Sequence, residues 1–415
     1  MSSNATTSTV RSRRVFYIPG YDPFHPRRYR ELYRSEGAEQ AQLSGYALTL
    51  TPKTTKGAYG WHVSAEIEGA QVETDVEVLV WSDIVKHSMN SSIAATYLQL
   101  MRTAWTYIAS GALWRLMRLR KGPVIAALYP VVILLVQALL AALLGWIVAW
   151  GVGALSGHLP LPAPLIWIAQ MLAGAGAAVA LLRGFKARDN KLFVYYLMHD
   201  YAYSAVLRGQ NPPELEARMQ VFRAAIRAAL EDNNVDEVLV VGHSSGAHIG
   251  VSVLADLLHE GLPAERPSLS FLSLGQVVPM VSFLPRATRL RRDLREMSVQ
   301  GQIPWYDVTA PGDGCAFALC DPVGVTGVAP KDQRWPIVFS AAFTQTLSAA
   351  RWQALKRRYF RLHFQYLCAF DHPKDYDYFR ITAGPQTLGD RLQNRAHSRS
   401  RLARPVNRFR SMDPR

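Results

Sequence analysis

The sequence predicts an α/β fold built on a mainly parallel sheet and interrupted by a long apolar insertion. Short apolar and β-branched runs alternate with helical patterns along most of the 415 residues, the pattern of strands joined by crossover helices. Strand candidates stand on both sides of a charge-free stretch, which makes that stretch an insertion rather than a domain boundary. A Gly-rich turn, Gly242-His243-Ser244-Ser245-Gly246, joins one strand candidate to a following helix.

Composition narrows the classes. The chain has 46 Lys+Arg against 32 Asp+Glu, a formal charge of +14, and 49% hydrophobic residues. That apolar content excludes a mainly disordered or fibrous protein, and the length allows roughly two or three domains. Three cysteines are too few for a disulfide framework. Cys315 and Cys320 stand at C-x₄-C spacing, but His363, Cys368 and His372 lie too far along the chain for a compact zinc finger. Reduced cytosolic thiols are expected, with no metal and no organic cofactor.

The N-terminal residues are Ser/Thr-rich and then basic, without an early apolar run, so no signal peptide is expected. Val15–Gly20, VFYIPG, reads as a buried strand running into a turn. A helix around Pro26–Glu39 follows, then strand-like segments at Tyr46–Thr51, Trp61–Ile67 and Val76–Trp81. Ser91–Arg120 reads as one long helix leading into the insertion.

From Gly122 to Leu182 there is no Asp, Glu, Lys or Arg, a run of roughly sixty residues where one membrane span needs about twenty. Two spans are expected, Val124–Val152 and Leu165–Leu182, joined by SGHLPLPAP with Gly157, Pro160, Pro162 and Pro164 breaking the helix. Trp146, Trp150 and Trp167 lie near the turn, as an interfacial aromatic belt would. Gly174 and Gly176 suit close helix approach, and oligomerisation through the hairpin is compatible with them. Arg115, Arg118, Arg120 and Lys121 precede the spans, Arg183, Lys186, Arg188 and Lys191 follow them, and the turn has no Lys or Arg. The positive-inside rule then puts both feet and the remaining chain in the cytoplasm. The expectation is an inner-membrane protein with two spans and the lipid bilayer as partner.

Beyond the insertion, Leu192–Leu207 and Glu214–Glu231 look helical, Val238–Val241 is a strand, and Ala247–His259 a helix. Further strand candidates are Leu269–Leu274, Ile303–Thr309 and Pro336–Phe339. Four segments follow: residues 1–121 and 184–390 forming one α/β domain, the hairpin 122–183, and a basic tail 391–415 expected to be disordered. The tail is nearly free of aromatics and no recognition module accompanies it, so anionic lipid rather than nucleic acid is its expected partner.

The Gly242–Gly246 turn has the strand-before, helix-after setting of a nucleophile elbow. Such a turn would lift the Ser244 hydroxyl to the carboxyl end of the sheet and aim the Ser245 N–H at a developing oxyanion. Ile18–Pro23, IPGYDP, ends another strand and offers the Tyr21 amide as second donor, with Gly20 allowing close approach. A base should follow an acid in the chain. His363 in RLHFQYL is favoured over His372 in FDHPKDYDYF. Asp313, past the strand in a Pro-Gly-Asp-Gly turn, is favoured as the acid, with Asp307 and Asp321 as alternatives.

Together GHSSG, IPGYDP and the late HFQYL resemble a serine hydrolase of the α/β-hydrolase superfamily, close to lipase- or esterase-like membrane proteins of bacteria. The resemblance implies an α/β-hydrolase-like sheet with the transmembrane hairpin inserted. It also implies attack by Ser244, proton transfer by His363, orientation by Asp313, and an acyl-enzyme cleaved by water. The expected activity is hydrolysis of an ester, and the anchor favours a lipid ester. The competing expectation is a non-catalytic hydrolase-like scaffold that keeps GHSSG as a structural turn.

Overall fold

Eight strands assemble into one sheet in the order β2-β3-β4-β1-β5-β6-β7-β8. They are β1 (Ser12–Ile18), β2 (Ala47–Pro52), β3 (Gly60–Ile67), β4 (Ala70–Val78), β5 (Glu237–His243), β6 (Ser268–Leu274), β7 (Trp305–Thr309) and β8 (Ile337–Ser340). The computed structural model describes residues 9–157 and 160–413. From β4 through β1 to β8 every pairing is parallel, while β2, β3 and β4 form an antiparallel meander at one edge. The α/β class and the mainly parallel sheet agree with the sequence expectation.

Alternation along β1 shows why the sheet is central. Val15 and Tyr17 face one layer, with Tyr29 and Tyr33 of helix α1 (Arg27–Ser44). Phe16 and Ile18 face the opposite layer. Period-two patterning with both faces apolar is what a strand covered on both sides requires. β5 is buried at every position.

After β4 the chain forms α2 (Ser82–Met89), α3 (Ile93–Ala109) and α4 (Ala112–Met117). The single helix expected over Ser91–Arg120 is thus broken, because Gly111 adopts φ +71° between the last two. Helices α5 (Lys121–Ser156) and α6 (Ala163–Ala187) form the apolar hairpin, each long and apolar enough to cross a membrane. Of the expected turn, Ser156–Pro164, residues 158–159 lie outside the described residues. Gly145 and Gly174 face each other so closely that a Cβ on either would lie 2.8 or 2.6 Å from the other's carbonyl oxygen. Gly174 therefore acts as expected, with Gly145 as its partner, while Gly176 faces open space. Away from its feet the hairpin is bare: Leu139, Trp150, Leu155 and Leu172 are each at least 69% exposed.

The feet are not bare. Val124 packs with Tyr107, Leu116 and Phe317, and Leu134 with Leu100, Tyr195 and Met198. The Tyr97 hydroxyl donates to the Leu134 carbonyl at 2.9 Å. Returning from the hairpin, the chain passes through α7 (Asp189–Leu192), α8 (Val194–Val206) and α9 (Pro213–Asp232) before entering β5 and then α10 (Gly246–Glu260).

The basic tail departs from its expected disorder over residues 391–413. The Leu402 N–H donates to Leu319 O, the Asp321 N–H to Leu402 O, and the Val406 N–H to Val325 O. Asn407 is buried, and its amide donates to Ser282 O. Composition alone does not reveal such a path, because the acceptors belong to the distant segment around residues 319–325.

Candidate active site

β1 and β5 are parallel neighbours, and the chain leaves them toward opposite edges of the sheet. Such a switch point opens a crevice at the carboxyl ends of the two strands. Gly20 and Tyr21 follow β1 there, and Ser244 follows β5.

Ser244 sits at φ +57°, a conformation that L-residues with a Cβ rarely adopt. Its N–H donates to Leu274 O at 2.9 Å, tying the turn to β6. Both flanking glycines are required by space. A Cβ on Gly246 would lie 2.0 Å from Ile18 O, and one on Gly242 would lie 2.6 Å from Gly246 O. Gly20 is equally constrained, since its Cβ would meet the Ser244 Cβ at 2.9 Å.

The loop after β1 is held from several sides. Trp81 Nε1 donates to Pro19 O at 2.9 Å, and the Tyr196 hydroxyl donates to Tyr21 O. Asp22 accepts from the Tyr29 hydroxyl and forms an ion pair with Arg28. The Tyr21 and Ser245 N–H groups have no acceptor among the described residues, and both residues line the cavity that Ser244 lines.

Asp313 lies in the turn after β7, its N–H donating to Ala310 O. His363 ends the short helix Tyr359–His363 that follows β8. The structure brings the two together: His363 Nδ1 and Asp313 Oδ2 are 2.7 Å apart, both side chains buried. Asp313 Oδ2 also accepts from the Tyr366 hydroxyl at 3.0 Å, and Oδ1 from the Cys315 N–H at 2.8 Å. Burial alone would raise the Asp313 carboxyl, but the His363 charge and these hydrogen bonds outweigh it and hold the group below its usual range. Ser244 and His363 line the same cavity without a direct side-chain hydrogen bond among the described residues.

The alternatives are engaged elsewhere. Asp307 is fully buried within β7 and accepts from the Ser273 hydroxyl at 2.6 Å, and burial pushes its carboxyl up to about 8. Asp321 caps a helix by accepting from the Val323 and Gly324 N–H groups. His372 is exposed and outside the cavity.

Three neighbours of these residues were not legible beforehand. His243 is buried with its ring 4.8 Å from that of His363, and its Nε2 lies 3.0 Å from His363 O. Burial, aided by the His363 charge, lowers His243 to about 3, so it is neutral and donates to that carbonyl. Tyr366 reaches Asp313 from three residues beyond His363. Asp200, on α8, points into the cavity with no ion pair among the described residues, and burial raises its carboxyl to about 7. A strand or helix pattern carries no trace of these contacts, all of which depend on tertiary approach.

Ligand atoms of Asp313, Cys315 and His363 lie within 4.8 Å of one another, the one such grouping among the described residues. Burial first, then the Asp313 charge, raises the Cys315 thiol above its ordinary range. Cys320 and Cys368 are not members of the group.

The cavity measures about 790 Å³, large enough for a sizeable organic ligand. It is lined by Gly20, Tyr21, Ser244 and His363 and by the foot of the hairpin, including Gly122, Ile125 and Tyr129 of α5. A Cβ on Gly122 would lie 3.0 Å from Gly314 O, so α5 starts directly against the turn that holds Asp313. Set beside known family models, curated proteins and solved structures, the chain has no match to any of them.

Proposed function

We propose that the chain is a membrane-anchored serine hydrolase of the α/β-hydrolase type that cleaves an ester. The observation that carries this reading is the buried Asp313–His363 hydrogen bond in the same cavity as a serine held at φ +57°. In this reading His363 Nε2 accepts the Ser244 proton as Oγ attacks the ester carbonyl. The Tyr21 and Ser245 N–H groups stabilise the oxyanion, helped by the positive end of α10. His363 then gives the proton to the departing alcohol. In the second half, water loses a proton to His363, its hydroxyl adds to the acyl carbon, and Ser244 leaves with the proton restored. Asp313 keeps the Nδ1–H tautomer of His363, so that Nε2 is the free nitrogen. The Ser244–His363 hydrogen bond forms as substrate closes the site, as catalytic contacts commonly tighten on binding.

The exposed apolar length of the hairpin supports a bilayer anchor, and the charge pattern at its feet supports a cytoplasmic, inner-membrane orientation for the catalytic domain. The test is labelling of the detergent-solubilised full chain with a fluorophosphonate probe beside Ser244→Ala. Labelling lost in the variant is the expected result. A folded wild-type protein that takes no label would instead leave a scaffold with GHSSG as a turn.

A further inference from the structure

The cavity has an apolar side and a basic rim. Its apolar side comes from the hairpin feet and from Phe193 and Phe360, whose rings are 5.7 Å apart. Ile125, which lines it, is 64% exposed, and α5 runs on from there as the spanning helix. Ile125 and Tyr129 lie within about 12 Å of the helix start at 1.5 Å rise per residue, so the cavity mouth sits where the chain would enter a bilayer.

The cavity lining also carries Arg357, Arg358 and Arg361, around the helix that ends in His363, and Lys191 after the second hairpin helix. All four are exposed, and none forms an ion pair among the described residues. Tyr359 and Phe360, between these arginines, are 59% and 38% exposed. Exposed aromatics interleaved with unpaired cations suit a membrane surface bearing negative headgroups. Apart from these four cations the cavity lining holds no Lys or Arg, so it offers an anion no other charged partner of that kind. The negative charge of a ligand therefore belongs at the rim and its acyl chain belongs inside.

Resting on the hydrolase reading, we propose that the substrate is an acyl ester of a bilayer phospholipid with a net negative headgroup, which enters sideways between the hairpin feet and the Tyr359–His363 helix. The three arginines hold the phosphate while the ester carbonyl reaches Ser244. The acyl C–O bond breaks, the lysolipid alcohol leaves with the His363 proton, and water supplies the hydroxyl of the released fatty acid.

The experiment reconstitutes the full chain in vesicles containing dioleoyl phosphatidylglycerol and dioleoyl phosphatidylcholine, which share acyl chains but differ in net charge. Fatty-acid and lysolipid release is read by mass spectrometry and normalised to fluorophosphonate-labelled protein. The anionic lipid is expected to be cleaved at least about tenfold faster, a ratio that collapses in Arg357→Gln/Arg358→Gln/Arg361→Gln and returns with lysine at the three positions. Equal rates on the two lipids, or a preference that survives the glutamines, overturns the proposal. In parallel, Ser244→Ala in vesicles is exposed to a phosphatidylglycerol with a diazirine in its acyl chain, and adducts are expected near Phe193 and Phe360. Adducts without fluorophosphonate labelling of the wild type would keep the lipid site and reject the hydrolase reading. Turnover of p-nitrophenyl acetate with neither adducts nor lipid cleavage would do the reverse.

Discussion

Asp313 has three hydrogen-bond donors converging on it, from His363, Tyr366 and the Cys315 N–H, and this concentration is what holds a fully buried carboxylate ionised. Asp313→Asn should lower kcat toward a model ester by about 10³–10⁴-fold, because the amide favours the wrong His363 tautomer. A variant with near wild-type kcat would remove Asp313 from the mechanism. Asp200 is the opposite case, a carboxyl raised to about 7 because burial outweighs the opposing charge of His363. In the unfolded chain it ionises near pH 4, so its charge penalises folding progressively from about pH 4 to about pH 7 and fully above that. Asp200→Asn should thus raise Tm, and the gain over wild type should grow from pH 5 to pH 8. A gain independent of pH would show that the carboxyl is not buried as described.

The elements around the switch point are tied together by charge as well as by the sheet. Arg13 of β1 and Glu237 of β5 form a fully buried ion pair at 2.7 Å. The remaining Arg13 donors go to Gly384 O and Gln386 O, and the Leu388 N–H donates to Glu237. This pair pins the C-terminal segment beneath the two strands that carry Tyr21 and Ser244. Arg13→Met should cost about 3–5 kcal/mol in urea unfolding, since it leaves Glu237 charged and unpaired. Adding Glu237→Leu should recover much of that loss; no recovery would point to the Gly384 and Gln386 contacts instead. Most elements could be read from sequence because local periodicity carries them: the β1 run, the β5–turn–α10 unit and both apolar helices stand close to their expected bounds. The break at Gly111 was missed because one left-handed glycine ends a helix without disturbing its apolar pattern.

Across the whole molecule, the hairpin and the tail both depend on surfaces that the α/β domain provides. Arg115 donates to Val406 O and Arg120 to Ala318 O, so basic residues read as membrane flanks also dock the tail and the segment beneath it. Deleting residues 402–413 should lower Tm by several degrees, because it exposes Val325 and Phe317 and strands the acceptors of the Leu402 and Val406 contacts. Unchanged melting would mean that the tail adds nothing to the fold. The class of fold, the two apolar helices and the serine turn were all present in the chain as local patterns, which follow from residue type and spacing within a few turns or strands. Contacts between segments far apart in the chain came only from folding: the pairing of His363 with Asp313 rather than with Asp307 or Asp321, the packing of His243 and Tyr366 around it, the Gly145–Gly174 contact, and the hairpin foot as a wall of the cavity. Their partners are set by strand order and side-chain packing, which no local spacing encodes.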